Sequence, residues 1–228
     1  MNSQLLTQLK PNKLVKVCCI TSLEEAELAL SRGANLLGLV SEMPSGPGVI
    51  TTSNIAAIVF RLPENIRTVL LTSKVMAQSI VEQHKQVKTW GIQLVDKLAQ
   101  NELSILKKKL PETCLIGVVH VRDASSISEA LGYADTVDML ILDSGNPEAE
   151  KRTLGGTGQT HDWEISREIC RRSSIPVLLA GGLTPGNISN AVNSVSPAGV
   201  DVCSGVRNKG LLDGSLLRQF MENMGWSN

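Results

Sequence analysis

Between residues 14 and 224 the chain alternates short apolar, β-rich runs with amphipathic segments, eight times over. Strands are expected at 14–20, 36–40, 67–72, 91–95, 114–121 and 139–143, and two more end in small residues at 178–182 and 199–205. Helices are expected at 23–32, 53–61, 77–88, 101–110, 127–131, 163–172, 187–195 and 216–224. The strand runs are almost continuously apolar, as a parallel sheet buried on both faces requires. Eight β/α units without a break in composition favour one closed (β/α)8 barrel over an open, doubly wound sheet. The length, 228 residues, suits one such barrel of about 250 residues better than two small domains. The expectation is a single α/β domain over 1–228, with 1–12 as a lead before the first strand.

The charges balance, 22 basic against 22 acidic, so no electrostatic footprint for nucleic acid or a membrane surface is expected. The basic run at 107–109 reads as a solvated helix end. Five cysteines show no metal-ligand spacing. With no signal peptide, they point to a reducing compartment. The first ten residues are too polar for a secretory segment, and no apolar run reaches transmembrane length. A cytoplasmic monomer or homodimer with no metal and no cofactor is expected.

The glycine-bearing strand ends point to a ligand. Residues 178–187 read Leu-Leu-Ala-Gly-Gly-Leu-Thr-Pro-Gly-Asn, and 199–205 read Gly-Val-Asp-Val-Cys-Ser-Gly. In a barrel these strands, the seventh and eighth, are neighbours, and the loops after them commonly hold a phosphate. Small residues there leave backbone N–H groups open to an anion. Gly181, Gly182, Ser204 and Gly205 are the expected cradle for a phosphorylated small molecule.

Chemistry in a barrel belongs at the C-terminal ends of the strands. Cys18 and Cys19 close the first strand. Strand alternation sends one side chain to the interior and mouth and the other to the helical layer. A thiol at the mouth can serve as a base when its pKa is lowered, although a small buried hydrophobe is the plainer role of a cysteine. Asp143 closes the sixth strand and can be a general acid or base; the plainer reading is a loop cap. A long loop at 144–162 carries Gly155, Gly156 and Gly158, which allow close backbone approach to a ligand, without the spacing of a P-loop. His84 reads as solvated, His120 and Arg122 lie near the end of the fifth strand, and Trp163 reads as packing.

Taken together these segments resemble the phosphoribosylanthranilate isomerase family. Lys16-Val17-Cys18-Cys19-Ile20-Thr21 is similar to its Lys-Ile-Cys-Gly-Ile-Thr, and 33–38 to its Gly-Ala-Asp-x-Leu-Gly. Leu142-Asp143, Gly155-Gly156-Thr157-Gly158, Asp162-Trp163, 179–185 and 199–206 follow in the family's order. The resemblance implies an Amadori rearrangement of an aminoaldose phosphate to an aminoketose phosphate. It makes Cys18 the general base, Asp143 the general acid, and Gly181, Gly182, Ser204 and Gly205 the phosphate cradle. Gln93 and Gly156 are the expected substrate contacts.

The chain departs from the pattern at the other end of the substrate. The family's Ser-Pro-Arg after the second strand, whose arginine meets the anthranilate carboxylate, reads Gly46-Pro47-Gly48. The family's Gln-Leu-His-Gly reads Gln93-Leu94-Val95-Asp96; Cys19 replaces a glycine, and His161 a usual phenylalanine. Losing a charge-assisted carboxylate contact should weaken activity on anthranilate derivatives. Arg122 and Arg152 are the expected substitute cations. A paralogue acting on another phosphosugar, or a barrel that only binds a phosphometabolite, is the alternative.

Overall fold

The computed structural model describes residues 14–44, 46–133, 135–144 and 161–226. The 1–12 lead and most of the 144–162 loop, including Gly156 and Arg152, lie outside them.

The apolar runs form β1 (Leu14–Val17), β2 (Leu36–Val40), β3 (Arg67–Thr72), β4 (Gly91–Leu94), β5 (Cys114–His120), β6 (Met139–Asp143), β7 (Val177–Leu179) and β8 (Gly199–Val202). Each is parallel to its neighbours, and β8 pairs back on β1, closing the barrel. The amphipathic segments form the outer ring: α1 (Leu23–Ser31), α2 (Thr52–Arg61), α3 (Ala77–Val87), α4 (Gln100–Lys109), α5 (Ser125–Tyr133), α6 (Trp163–Arg172), α7 (Ile188–Val195) and α8 (Gly214–Met224). Side-chain caps fix several starts: Ser22 Oγ accepts from the Glu25 N–H, Thr51 Oγ1 from Asn54 and Asp162 from Glu164. Among the described residues no helix is long and apolar enough to cross a membrane.

Strand alternation divides the core in two. Leu14 and Cys18 of β1 and its extension join Leu36, Val69, Ile116, Met139 and Leu178 inside the barrel. Val15 and Val17 face outward, against α1, α7 and α8. The opposite side of the ring packs a second outer cluster around Ile80, Leu106, Leu140 and Ile169.

Three expectations need correction. β1 stops at Val17, three residues early, because the chain turns sharply at Cys19, where φ is +63°. α5 is longer than the 127–131 expected. His84 is buried, not solvated: it lies on the inner face of α3 with Val81 and Val87, and its Nε2 hydrogen-bonds the Thr89 carbonyl at 2.8 Å. A polar helix composition hid that inner face.

A hairpin that the sequence pattern does not announce follows β8. β9 (Arg207–Asn208) and β10 (Leu211–Leu212) pair antiparallel through Lys209 and Gly210, both at positive φ. Two left-handed central residues give the turn whose twist suits a tight hairpin.

Candidate active site

At the C-terminal mouth, the ends of β1, β6, β7 and β8 surround one cleft. Cys18 enters it from β1, as alternation from Leu14 and Lys16 requires. Gly38 of β2 makes this possible, since a Cβ there would stand 2.9 Å from Cys18 Sγ and 3.0 Å from Lys16 Nζ.

Cys19 does not face the helical layer as alternation predicts. Its left-handed backbone swings it to the same cleft, and Ile20 takes the outward place. Arg207 fixes this turn. Its guanidinium donates to the carbonyls of Cys18 at 3.0 Å and Cys19 at 2.6 Å, and to Glu25 of α1 at 2.8 Å.

Asp143 enters from β6. The residue shows some surface at the mouth, but its carboxyl is enclosed, and burial pushes it up to about 6 despite a 2.7 Å hydrogen bond from the Ser144 N–H. The Cys18 thiol moves the other way. A hydrogen bond from Cys19 and the nearby Lys16 ammonium hold it below its ordinary value, against burial. The cleft thus pairs a thiol biased toward thiolate with a carboxyl biased toward the protonated acid.

Beneath them lies a buried ion pair that the motif reading does not assign. Lys16 Nζ donates to both Asp201 oxygens, each at 3.0 Å, with Lys16 fully buried. Burial pulls the Lys16 ammonium down, but Asp201 and Cys18 outweigh it and keep it charged. A lysine and an aspartate inside the apolar runs Leu-Val-Lys-Val and Gly-Val-Asp-Val were the available signal, because buried strand charges are rarely unpaired. Arg207, far along the chain from Cys18, left no comparable signal.

The glycine-rich ends behave differently from one another. Gly181 and Gly182, at φ +78° and +60°, line the cleft with Ser204. Asn187 holds this loop, donating to the Gly182 carbonyl and accepting from the Thr184 N–H. Gly205 stands behind the cleft wall, and a Cβ there would overlap the Leu183 carbonyl oxygen. Its lack of a side chain is required by packing of the two loops.

Gln93 lines the cleft from β4, with its buried Oε1 free of any hydrogen bond among the described residues. Arg122 lies elsewhere, in an adjoining cavity with His120 and Tyr133 that shares Val95 with the cleft. His161 is not among the lining residues; its Nε2 bonds Ser166 at 2.7 Å, and burial lowers it to about 4. Trp163 packs on the outer core. Among the described residues no group of three or more His, Cys, Asp or Glu side chains is placed to hold a metal ion.

The family model described as N-(5'phosphoribosyl)anthranilate (PRA) isomerase matches residues 15–223. The chain belongs to this family. The N-(5'-phosphoribosyl)anthranilate isomerase of Methanocella arvoryzae is 32% identical over 92% of this chain and 97% of its own. That of Nostoc punctiforme is 35% identical over 92% and 98%. The crystal structure of phosphoribosyl anthranilate isomerase from Thermotoga maritima superposes with a TM-score of 0.78 at 28% identity, covering 93% of this chain and 98% of that one. As a member of the isomerase family this chain is an enzyme of the aldose–ketose type, built on the family's barrel.

Proposed function

We propose that the protein isomerises N-(5'-phosphoribosyl)anthranilate, an Amadori rearrangement in tryptophan biosynthesis, with Cys18 as base and Asp143 as acid. The observation that carries the residue roles is the opposite bias of these two groups across one cleft.

The protonated Asp143 carboxyl donates its proton to the ribose ring oxygen. The ring C1–O bond breaks as the amine lone pair forms an iminium at C1. The Cys18 thiolate then removes the C2 proton, and the C2–H electrons neutralise the iminium as an enolamine. Tautomerisation gives the ketone at C2 and the secondary amine at C1, so carbon is oxidised at C2 and reduced at C1 within one molecule. Lys16, held charged by Asp201, favours the thiolate. The free Gln93 Oε1 accepts from a sugar hydroxyl. Gly181, Gly182 and Ser204 offer backbone to the phosphate, with Gly205 setting the loop that carries Ser204.

By the family resemblance, Gly156 contacts the substrate. Arg122, across Val95, is the proposed partner of its carboxylate. The altered wall at Val95 and the arginine missing at Gly48 make the grip on that end weak, and misplacement of the reacting carbon costs orders of magnitude. The proposed compartment is the cytoplasm.

The test is turnover of freshly generated phosphoribosylanthranilate by the purified protein. The expected kcat/KM lies below ~10⁴ M⁻¹s⁻¹ and is abolished by Cys18→Ala. Complete absence of turnover, with other aminoaldose phosphates accepted, overturns the substrate assignment. Turnover that survives Cys18→Ala overturns the base.

A further inference from the structure

Neither Cys19 nor Cys203 exchanges a proton with substrate in the proposed chemistry, yet the fold presses their sulfurs together. β1 and β8 pair with Val17 opposite Val202, and the Cys18 N–H bonds the Val202 carbonyl at 2.9 Å. The ends of the two strands therefore leave the barrel side by side. The left-handed turn at Cys19 points its thiol at Cys203, and the sulfurs lie 2.8 Å apart as free thiols. A disulfide requires ~2.05 Å, so closure needs a shift of under about 1 Å. The backbone cannot relax away easily. Arg207 holds the Cys19 carbonyl, and Gly48 packs so near that a Cβ on it would stand 2.5 Å from Cys19 Cβ.

We propose that Cys19 and Cys203 are a redox-active thiol pair that a low-molecular-weight disulfide closes to an intramolecular disulfide at the cleft mouth. Cys203 is the entry point, because it retains surface while Cys19 is buried. The Cys203 thiol loses its proton and its sulfur attacks one sulfur of the small disulfide. The small S–S bond breaks, and one small thiol leaves with that proton. The Cys19 sulfur then attacks Cys203 Sγ of the mixed disulfide, forming the Cys19–Cys203 bond and releasing the second small thiol with the Cys19 proton. Two protein thiols are oxidised by two electrons and one small disulfide is reduced to two thiols. A dithiol reverses both steps.

Closure takes away the S–H that Cys19 offers Cys18, the largest influence favouring the Cys18 thiolate. The pair therefore controls turnover; this consequence rests on the proposed role of Cys18, whereas disulfide formation does not.

The experiment treats the reduced full-length protein with excess oxidised glutathione, alkylates it, and maps disulfides by mass spectrometry without reduction. The expected product is a Cys19–Cys203 crosslink, lost in Cys203→Ser and in Cys19→Gly and reversed by dithiothreitol. All five thiols retained, only glutathione adducts, or a Cys18–Cys19 crosslink overturns the pair. In the same samples turnover should fall at least tenfold as the crosslink forms and return with dithiothreitol. Turnover unchanged in fully crosslinked protein overturns the control of Cys18. A protein with no turnover at all still reports the crosslink, so failure of the enzymatic reading is seen separately.

Discussion

Asp143 carries a carboxyl whose charged form the fold disfavours, so its chemical use conflicts with stability. Its folded value is about 6 against an ordinary 3.8, corresponding to roughly 3 kcal/mol on the charged form. The folded state holds this proton more tightly than the unfolded chain. Stability is therefore intact below about pH 4, erodes as pH rises towards 6, and stays reduced above that. Asp143→Asn keeps an acceptor for the Ser144 N–H and removes the charge. It should abolish turnover while raising Tm by ~5 °C or more at pH 8, with little change at pH 4, as calorimetry at both pH values will show. In the wild type, kcat/KM should decline above about pH 6 as the acid ionises. An alkaline limb first appearing above pH 8 would contradict Asp143 as the acid. The second prediction at this scale concerns Gly48, where the resemblance leads one to expect arginine. Its φ is +72°, and a Cβ would stand 2.5 Å from Cys19 Cβ and 2.9 Å from Cys19 Cα. Gly48→Arg alone should cost ~2 kcal/mol and not improve turnover. Adding Cys19→Gly should recover at least ~1 kcal/mol by coupling. Additive urea-unfolding energies across this double-mutant cycle would refute the steric link.

Among the elements, the hairpin of β9 and β10 acts as a bracket on β1. It carries Arg207, whose guanidinium ties the last carbonyls of the β1 extension to Glu25 of α1, and Glu25 also accepts from the Leu212 N–H at 2.9 Å. Both charged side chains are largely buried. Removing one partner of such a pair leaves the other uncompensated, at ~3–5 kcal/mol. Arg207→Ala should destabilise by that order in urea unfolding. It should also lower kcat more than it raises KM, because the Cys18 turn loses its anchor while the phosphate loops remain. Arg207→Lys keeps the charge but cannot fork between two carbonyls and a carboxylate, so it should restore only part of either loss.

Across the whole molecule, the barrel closes where the chain's beginning meets its end. The Lys16–Asp201 pair spans that seam, on strands 185 residues apart in sequence, directly under Cys18. Lys16→Met should leave Asp201 as a buried lone charge and cost ~3–5 kcal/mol. Adding Asp201→Leu should restore much of that stability without restoring turnover, since the cation favouring the Cys18 thiolate is gone. Chemical denaturation and kinetics on the two variants separate the structural role of the pair from its effect on the thiol. If the double variant turns over like the wild type, the ion pair only closes the barrel.

Amino-acid order alone sets the eightfold alternation, and with it the barrel. Near-continuous apolar strands and amphipathic helices are local patterns with fixed periods, readable without knowing any partner. It also determined which residues stand at strand ends, hence the cleft with Cys18, Asp143, Gly181, Gly182 and Ser204. Where the cysteines face depends on the folded chain, because one left-handed residue at Cys19 breaks the alternation that a strand would impose. Only closure brings Lys16 to Asp201, Arg207 to the β1 carbonyls and Cys19 to Cys203. It also shows that Gly205 is glycine for the sake of the Leu183 backbone, and that His84 is buried in a helix of polar composition. These contacts join residues far apart in sequence, and their chemistry depends on distance and burial, which no local period encodes.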